Sequence, residues 1–164
     1  MDFNKLVPDF NAVLKTDWTK PQVEKNSIGR TGFIASVLML VFVFLPWFSI
    51  QYEDGSAMRS GITLWYGILG FLAGLVAVAS NLYNQKALGF WAAVLAVLFA
   101  VIGLIVYPSL TEDGVTLSGE KVKESIEMAK MFEVEIYVSR VGAILYLLAS
   151  LASGACSFLG LMKK

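Results

Sequence analysis

The chain has 164 residues, 57% hydrophobic and 16% charged, with 13 basic and 13 acidic side chains and a net charge of zero. Soluble domains are about 45–50% apolar and about 25% charged, so this composition points to lipid as the surrounding solvent. The charge balance removes the electrostatic case for a nucleic-acid partner. The lack of histidine removes imidazole acid–base and metal chemistry, and the single cysteine, Cys156, excludes an intrachain disulfide, a CxxC redox pair and a zinc ribbon.

Residues 1–31 read as a cytoplasmic amphipathic segment. Phe3, Leu6, Val7, Phe10, Val13 and Leu14 recur at helical spacing, with Pro8 either in a first turn or breaking the pattern. Such a helix lies on the membrane face or docks a partner. Four acidic side chains in these 31 residues speak against a cleaved signal peptide.

Four apolar stretches follow: 32–50, 62–83, 87–107 and 141–162. Each has 19 to 22 residues and no Asp, Glu, Lys or Arg, and a helix needs about 20 residues to cross about 30 Å of hydrocarbon. The expectation is an all-α membrane protein: a four-transmembrane-helix bundle over 32–162, with an extracytoplasmic helical loop at 108–140. Trp47, Trp65 and Trp91, with Tyr66, Tyr83 and Tyr107, are the expected interface anchors.

Basic residues set the orientation. Lys5, Lys15, Lys20, Lys25, Arg30, Lys86, Lys163 and Lys164 fall on one side, against Arg59, Lys121, Lys123, Lys130 and Arg140 on the other. Both termini and the Asn84–Lys86 turn are therefore expected in the cytoplasm, and loops 51–61 and 108–140 outside.

Small residues mark the packing faces, because in lipid the hydrophobic effect gives helices no mutual attraction and close backbone approach must supply it. Gly67, Gly70 and Gly74 lie on the second stretch, Ala96, Ala100 and Gly103 on the third, Ser153 and Gly160 on the fourth. The seam joins helices of one chain or two copies of it. The first stretch is bulky from Leu38 to Phe44 and is expected to face lipid or a partner.

In the outer loop, Glu112-Asp113-Gly114 carries turn chemistry and Ser118 is a candidate N-cap. Val122, Ile126, Ala129, Phe132 and Ile136 form an apolar helical stripe, with Glu120, Lys123, Glu124, Glu127 and Lys130 as a charged candidate partner surface. The helix is expected to lead into the fourth span, although Glu133–Val138 also alternates with the period of a strand.

Catalytic and cofactor signatures are missing. No stretch carries a charge at mid-depth, as ion-coupled transport usually requires. There is no GxSxG, SxxK, phosphate loop or EF-hand spacing. Glu53-Asp54 and Glu112-Asp113 are at most weak cation ligands, and read as solvated turns.

Phe44-Leu45-Pro46-Trp47-Phe48-Ser49, followed by Gly61-Ile62-Thr63-Leu64-Trp65-Tyr66-Gly67, resembles a group of small bacterial four-span membrane proteins whose first span ends in LPWFS-like residues. That resemblance implies a multi-pass protein of the bacterial inner membrane. Many of that group carry an N-terminal zinc ribbon, which this chain lacks. Trp47 and Gly61…Leu64-Trp65 also resemble the claudin outline, without its two cysteines and with a shorter first outer loop. The expected function is a non-enzymatic membrane scaffold or accessory subunit with no cofactor or metal, contacting lipid and a protein partner or further copies of itself. An oligomeric pore or transport component and a bacterial membrane immunity protein are the alternatives.

Overall fold

A computed structural model describes residues 3–52, 55–112 and 115–163. Besides 3₁₀ turns at Phe3–Leu6 and Gly61–Thr63, the described elements begin with α1 (Phe10–Leu14), α2 (Ser27–Phe42), β1 (Pro46–Tyr52), β2 (Gly55–Ser60), α3 (Trp65–Leu82) and α4 (Lys86–Ile105). They are followed by β3 (Leu110–Glu112), β4 (Val115–Leu117), α5 (Gly119–Met131), β5 (Tyr137–Ser139) and α6 (Val141–Met162). The protein is mostly helical but not all-α, because a three-stranded antiparallel sheet in the order β2-β1-β5 and the separate hairpin β3-β4 join the helices.

Helices α3, α4 and α6 are long and apolar enough to cross a membrane. At 1.5 Å per residue they span about 27, 30 and 33 Å. Helix α2 has 16 residues, or about 24 Å. It packs against α3 and α6, and α4 packs against the same two, so the four contacts close a ring. One face of α2 buries Gly32, Ala35, Ser36 and Met39, while Ile34, Val37, Leu38 and Val41 point outward.

The first apolar stretch is thus not helical to residue 50. Helix α2 ends in tightened turns, with Phe44 N donating to Val41 O (3.1 Å) and Leu45 N to Phe42 O (3.2 Å). Pro46 lacks the N–H that would continue the ladder. The chain then alternates, and β1 pairs with β2 from Ser49↔Met58 to Tyr52↔Gly55 and with β5 from Ser49↔Ser139 to Gln51↔Tyr137. The stretch remains apolar because it is buried in protein, which composition does not distinguish from burial in lipid.

The core between the helices is built on three aromatics in a setting of small residues. Trp47 and Tyr146 are fully buried and Tyr66 nearly so. The Trp47 ring centroid lies 5.0 Å from that of Tyr146 and 6.1 Å from that of Tyr66, and its Nε1 donates to Phe42 O at 3.1 Å. Trp47 is therefore not the interface anchor expected. Its indole fills a space made by glycines: a Cβ on Gly61, Gly103 or Gly142 would lie 2.5–2.9 Å from its ring atoms.

The N-terminal segment is a short 3₁₀ turn, Phe3–Leu6, and the five-residue α1, rather than one amphipathic helix. Pro8 interrupts it, and Asp9 restarts it by accepting from Asn11 N (3.0 Å) and Ala12 N (3.2 Å). Val7, Phe10 and Leu14 are exposed. The following residues cross the end of α3 and α4. Gln22 N donates to Leu82 O (2.8 Å), Gln85 Nε2 to Thr16 Oγ1 (2.8 Å), Trp91 Nε1 to Leu6 O (2.8 Å), and the Tyr83 hydroxyl to Trp18 O. Beside them the Asp17 carboxylate accepts from Thr19, which holds its pKa below the ordinary value. This segment, the α3–α4 turn and the end of α6 share one end of the molecule, where Gly160 packs on the Lys86 stem.

Candidate functional site

The opposite end gathers β1, β2, the β3-β4 hairpin, α5 and β5 around a second core of Phe48, Ile50, Leu110, Val122 and Ile126. Helix α5 forms where Ser118 caps it, the side chain accepting from Lys121 N at 3.5 Å. Its stripe at Val122 and Ile126 is 2% exposed, in one cluster with Phe48 and Ile50 of β1 and Leu110 of β3. Phe132, expected in that stripe, is 75% exposed. The helix stops at Met131 and does not run into α6. Val134 N returns to Ala129 O at 3.0 Å around Glu133, which has φ 58. That left-handed position at a helix end is usually glycine. The ambiguous stretch then resolves as irregular chain followed by the short strand β5.

The candidate partner residues Glu120, Lys123, Glu124, Glu127 and Lys130 are all exposed on α5, with Lys123 and Glu127 paired at 3.8 Å. With Lys121, the helix carries three acids and three bases, so its face is neutral overall. The acidic surplus of the loop lies elsewhere. Glu133 and Glu135 line a cleft of about 550 Å³ with Gln51, Tyr52, Val134 and Tyr137. Glu53, Asp54 and Asp113, named as weak cation ligands, lie outside the described residues. Among the described residues, no group of three or more acidic or cysteine side chains is placed to hold a metal.

Arg140 ties this end to the helices. Its guanidinium donates to Gly103 O (3.1 Å), Leu104 O and Val106 O (3.3 Å), carbonyls at the end of α4 that lack helical donors. It also lies 4.6 Å from the Tyr107 ring centroid and 5.5 Å from that of Phe48. In the sequence Arg140 figures only as one of the outer basic residues. The arginine before an apolar span is the signal that a helix end nearby needs capping.

The small residues Gly67, Gly70, Gly74, Ala96, Ala100, Gly103, Ser153 and Gly160 are all buried within the chain. A Cβ on Gly67 would lie 1.9 Å from Gly61 O. On Gly70 it would meet the Tyr146 hydroxyl at 3.2 Å, the group that donates to Gly70 O at 2.5 Å. On Gly74 its one close approach would be to the movable tip of Leu40, at 2.9 Å, with Met39 Cβ at an ordinary 3.8 Å. Gly70→Leu is therefore expected to cost about 1–3 kcal/mol, as overpacked cores do, and Gly74→Leu less. Melting of both variants in detergent checks this, and melts that match the unsubstituted protein would mean that this face meets lipid. Trp65 (61% exposed) and Trp91 (46%) stand on the outer surface of the helices.

Comparisons with known protein families, with curated proteins and with solved structures give no match.

Proposed function

We propose that the chain is a non-enzymatic membrane scaffold or accessory subunit that crosses a bacterial inner membrane four times and recognises a protein through its outer domain. The observation that carries this reading is the second core. A hydrophobic cluster separate from the core of the four longer helices packs α5 on the sheet, with the charged face of α5 exposed. Membrane segments alone need no such cluster. The apolar outward face of α2 supports a fourth crossing, and with four crossings both termini lie on one side. The excess of basic residues makes that side the cytoplasm. The likeness of residues 44–49 to bacterial four-span proteins supports the inner membrane.

Two measurements test it. Lys20→Cys and Glu120→Cys, each in a Cys156→Ser background, are probed with a membrane-impermeant thiol reagent on intact cells. Labelling is expected at position 120 and not at 20, and the reverse would overturn the topology. The mass of the detergent-solubilised protein decides the mode of action. One or two copies with a co-purifying partner fit a subunit, whereas a closed ring of many copies would favour a pore. Glu124→Lys with Glu127→Lys is then expected to weaken capture of that partner without altering the melt.

A further inference from the structure

Strand β5 is an edge. In the order β2-β1-β5 it pairs only with β1, and among the described residues no other backbone hydrogen bond reaches Tyr137–Ser139. Tyr137 is 65% and Val138 37% exposed. Native proteins usually blunt such edges, and an open one is a template for another strand. Beside it lies the acidic cleft. Glu133 and Glu135 are exposed and form no ion pair among the described residues. The nearest basic residue in sequence after them, Arg140, is committed to the α4 carbonyls.

We propose that this edge and cleft receive an extended basic segment of a partner protein as a fourth strand of the sheet, with main-chain pairing to β5 and lysine or arginine side chains meeting Glu133 and Glu135. The proposal rests on reading the chain as a docking subunit and names what docks. Side chains of an added strand alternate between faces. A segment alternating basic and apolar residues would set its charges in the cleft and its apolar groups along exposed Val134 and Val138. A second copy of the chain fits less well, because two β5 edges would bring four carboxylates into one short interface, where like charges oppose association.

The test uses the full chain in zwitterionic phosphatidylcholine nanodiscs and a fluorescein-labelled peptide of eight alternating lysines and valines, read by anisotropy. A glutamate–valine peptide and a lysine–valine peptide N-methylated at every valine are the controls. Only the unmodified lysine–valine peptide is expected to bind. Glu133→Gly with Glu135→Gln is expected to weaken that binding about tenfold or more through lost charge pairing. The same variant should melt no lower than the original, because glycine relieves the left-handed position, so unfolding cannot account for lost binding. Absence of binding, equal binding of the N-methylated peptide, or unchanged affinity in the variant would each overturn the proposal. So would a stable dimer that excludes the peptide, which would give the edge to a second copy. A ring assembly would remove the docking reading itself, whereas a monomer that ignores the peptide removes only the role of β5.

Discussion

Trp47→Ala is expected to destabilise the protein by about 3–5 kcal/mol, the range for removing a large buried aromatic. The indole is fully buried, bonds to Phe42 O and lies against Tyr66 and Tyr146. The glycines around it leave a cavity that neighbouring backbone cannot fill without moving the helices. Trp65→Ala is the control. Its ring is 61% exposed, and surface substitutions usually fall within about 0.5 kcal/mol. Reversible unfolding in mixed micelles measures both. Equal effects would mean that Trp47 is not the centre of the helix core.

The second large effect is an asymmetry at the other end. Lys86 is 4% exposed, and its ammonium lies 3.6 Å from the Glu24 carboxylate, which links the N-terminal segment to the start of α4. Removing one partner of a buried pair leaves an uncompensated charge and costs about 3–5 kcal/mol, whereas apolar replacement of both partners is often neutral or stabilising. Glu24→Ala is therefore expected to lower stability by roughly that amount, Lys86→Met by less because the Glu24 carboxylate keeps some solvent contact and its bond from Asn26, and the double variant to recover most of the loss. Denaturant titration in micelles of both variants and the double variant gives the coupling. A loss in the double variant as large as that of Glu24→Ala would show that the pair holds the fold through attraction rather than through avoided burial of a lone charge.

Lys86 also shows where sequence reading reached and where it stopped. In the sequence it figures only among the basic residues expected on one side, since one residue in a tight turn gives no sign that a distant glutamate folds over it. The long apolar helices were legible because 18 to 22 residues without charge have few other uses. Ser118 and the period of Val122 and Ile126 placed the start and the buried face of α5, but not its end at Met131. The end of α2 was not legible. Pro46–Ile50 continues the uncharged run of the first apolar stretch, and its strand partners lie at 55–60 and 137–139, one of them far along the chain. The cleft at Glu133 and Glu135 was missed for a related reason: it exists only once β1 brings Gln51 and Tyr52 beside them. The charges of α5 were visible from their spacing alone, which drew attention to a face that is neutral overall.

Consecutive residues of β1 face opposite ways. Trp47 enters the core between the helices, and Phe48, its neighbour, enters the second core around α5 and the sheet. A single peptide bond therefore joins the two, with Arg140 as a second rivet between the α4 carbonyls and the Phe48 ring. The end of the molecule that holds α5 and the sheet is consequently not a bead on a tether. Load applied to its sheet reaches the membrane helices through a stiff link a few ångströms long, and the Trp47 and Phe48 amides should exchange with solvent only when both halves open together.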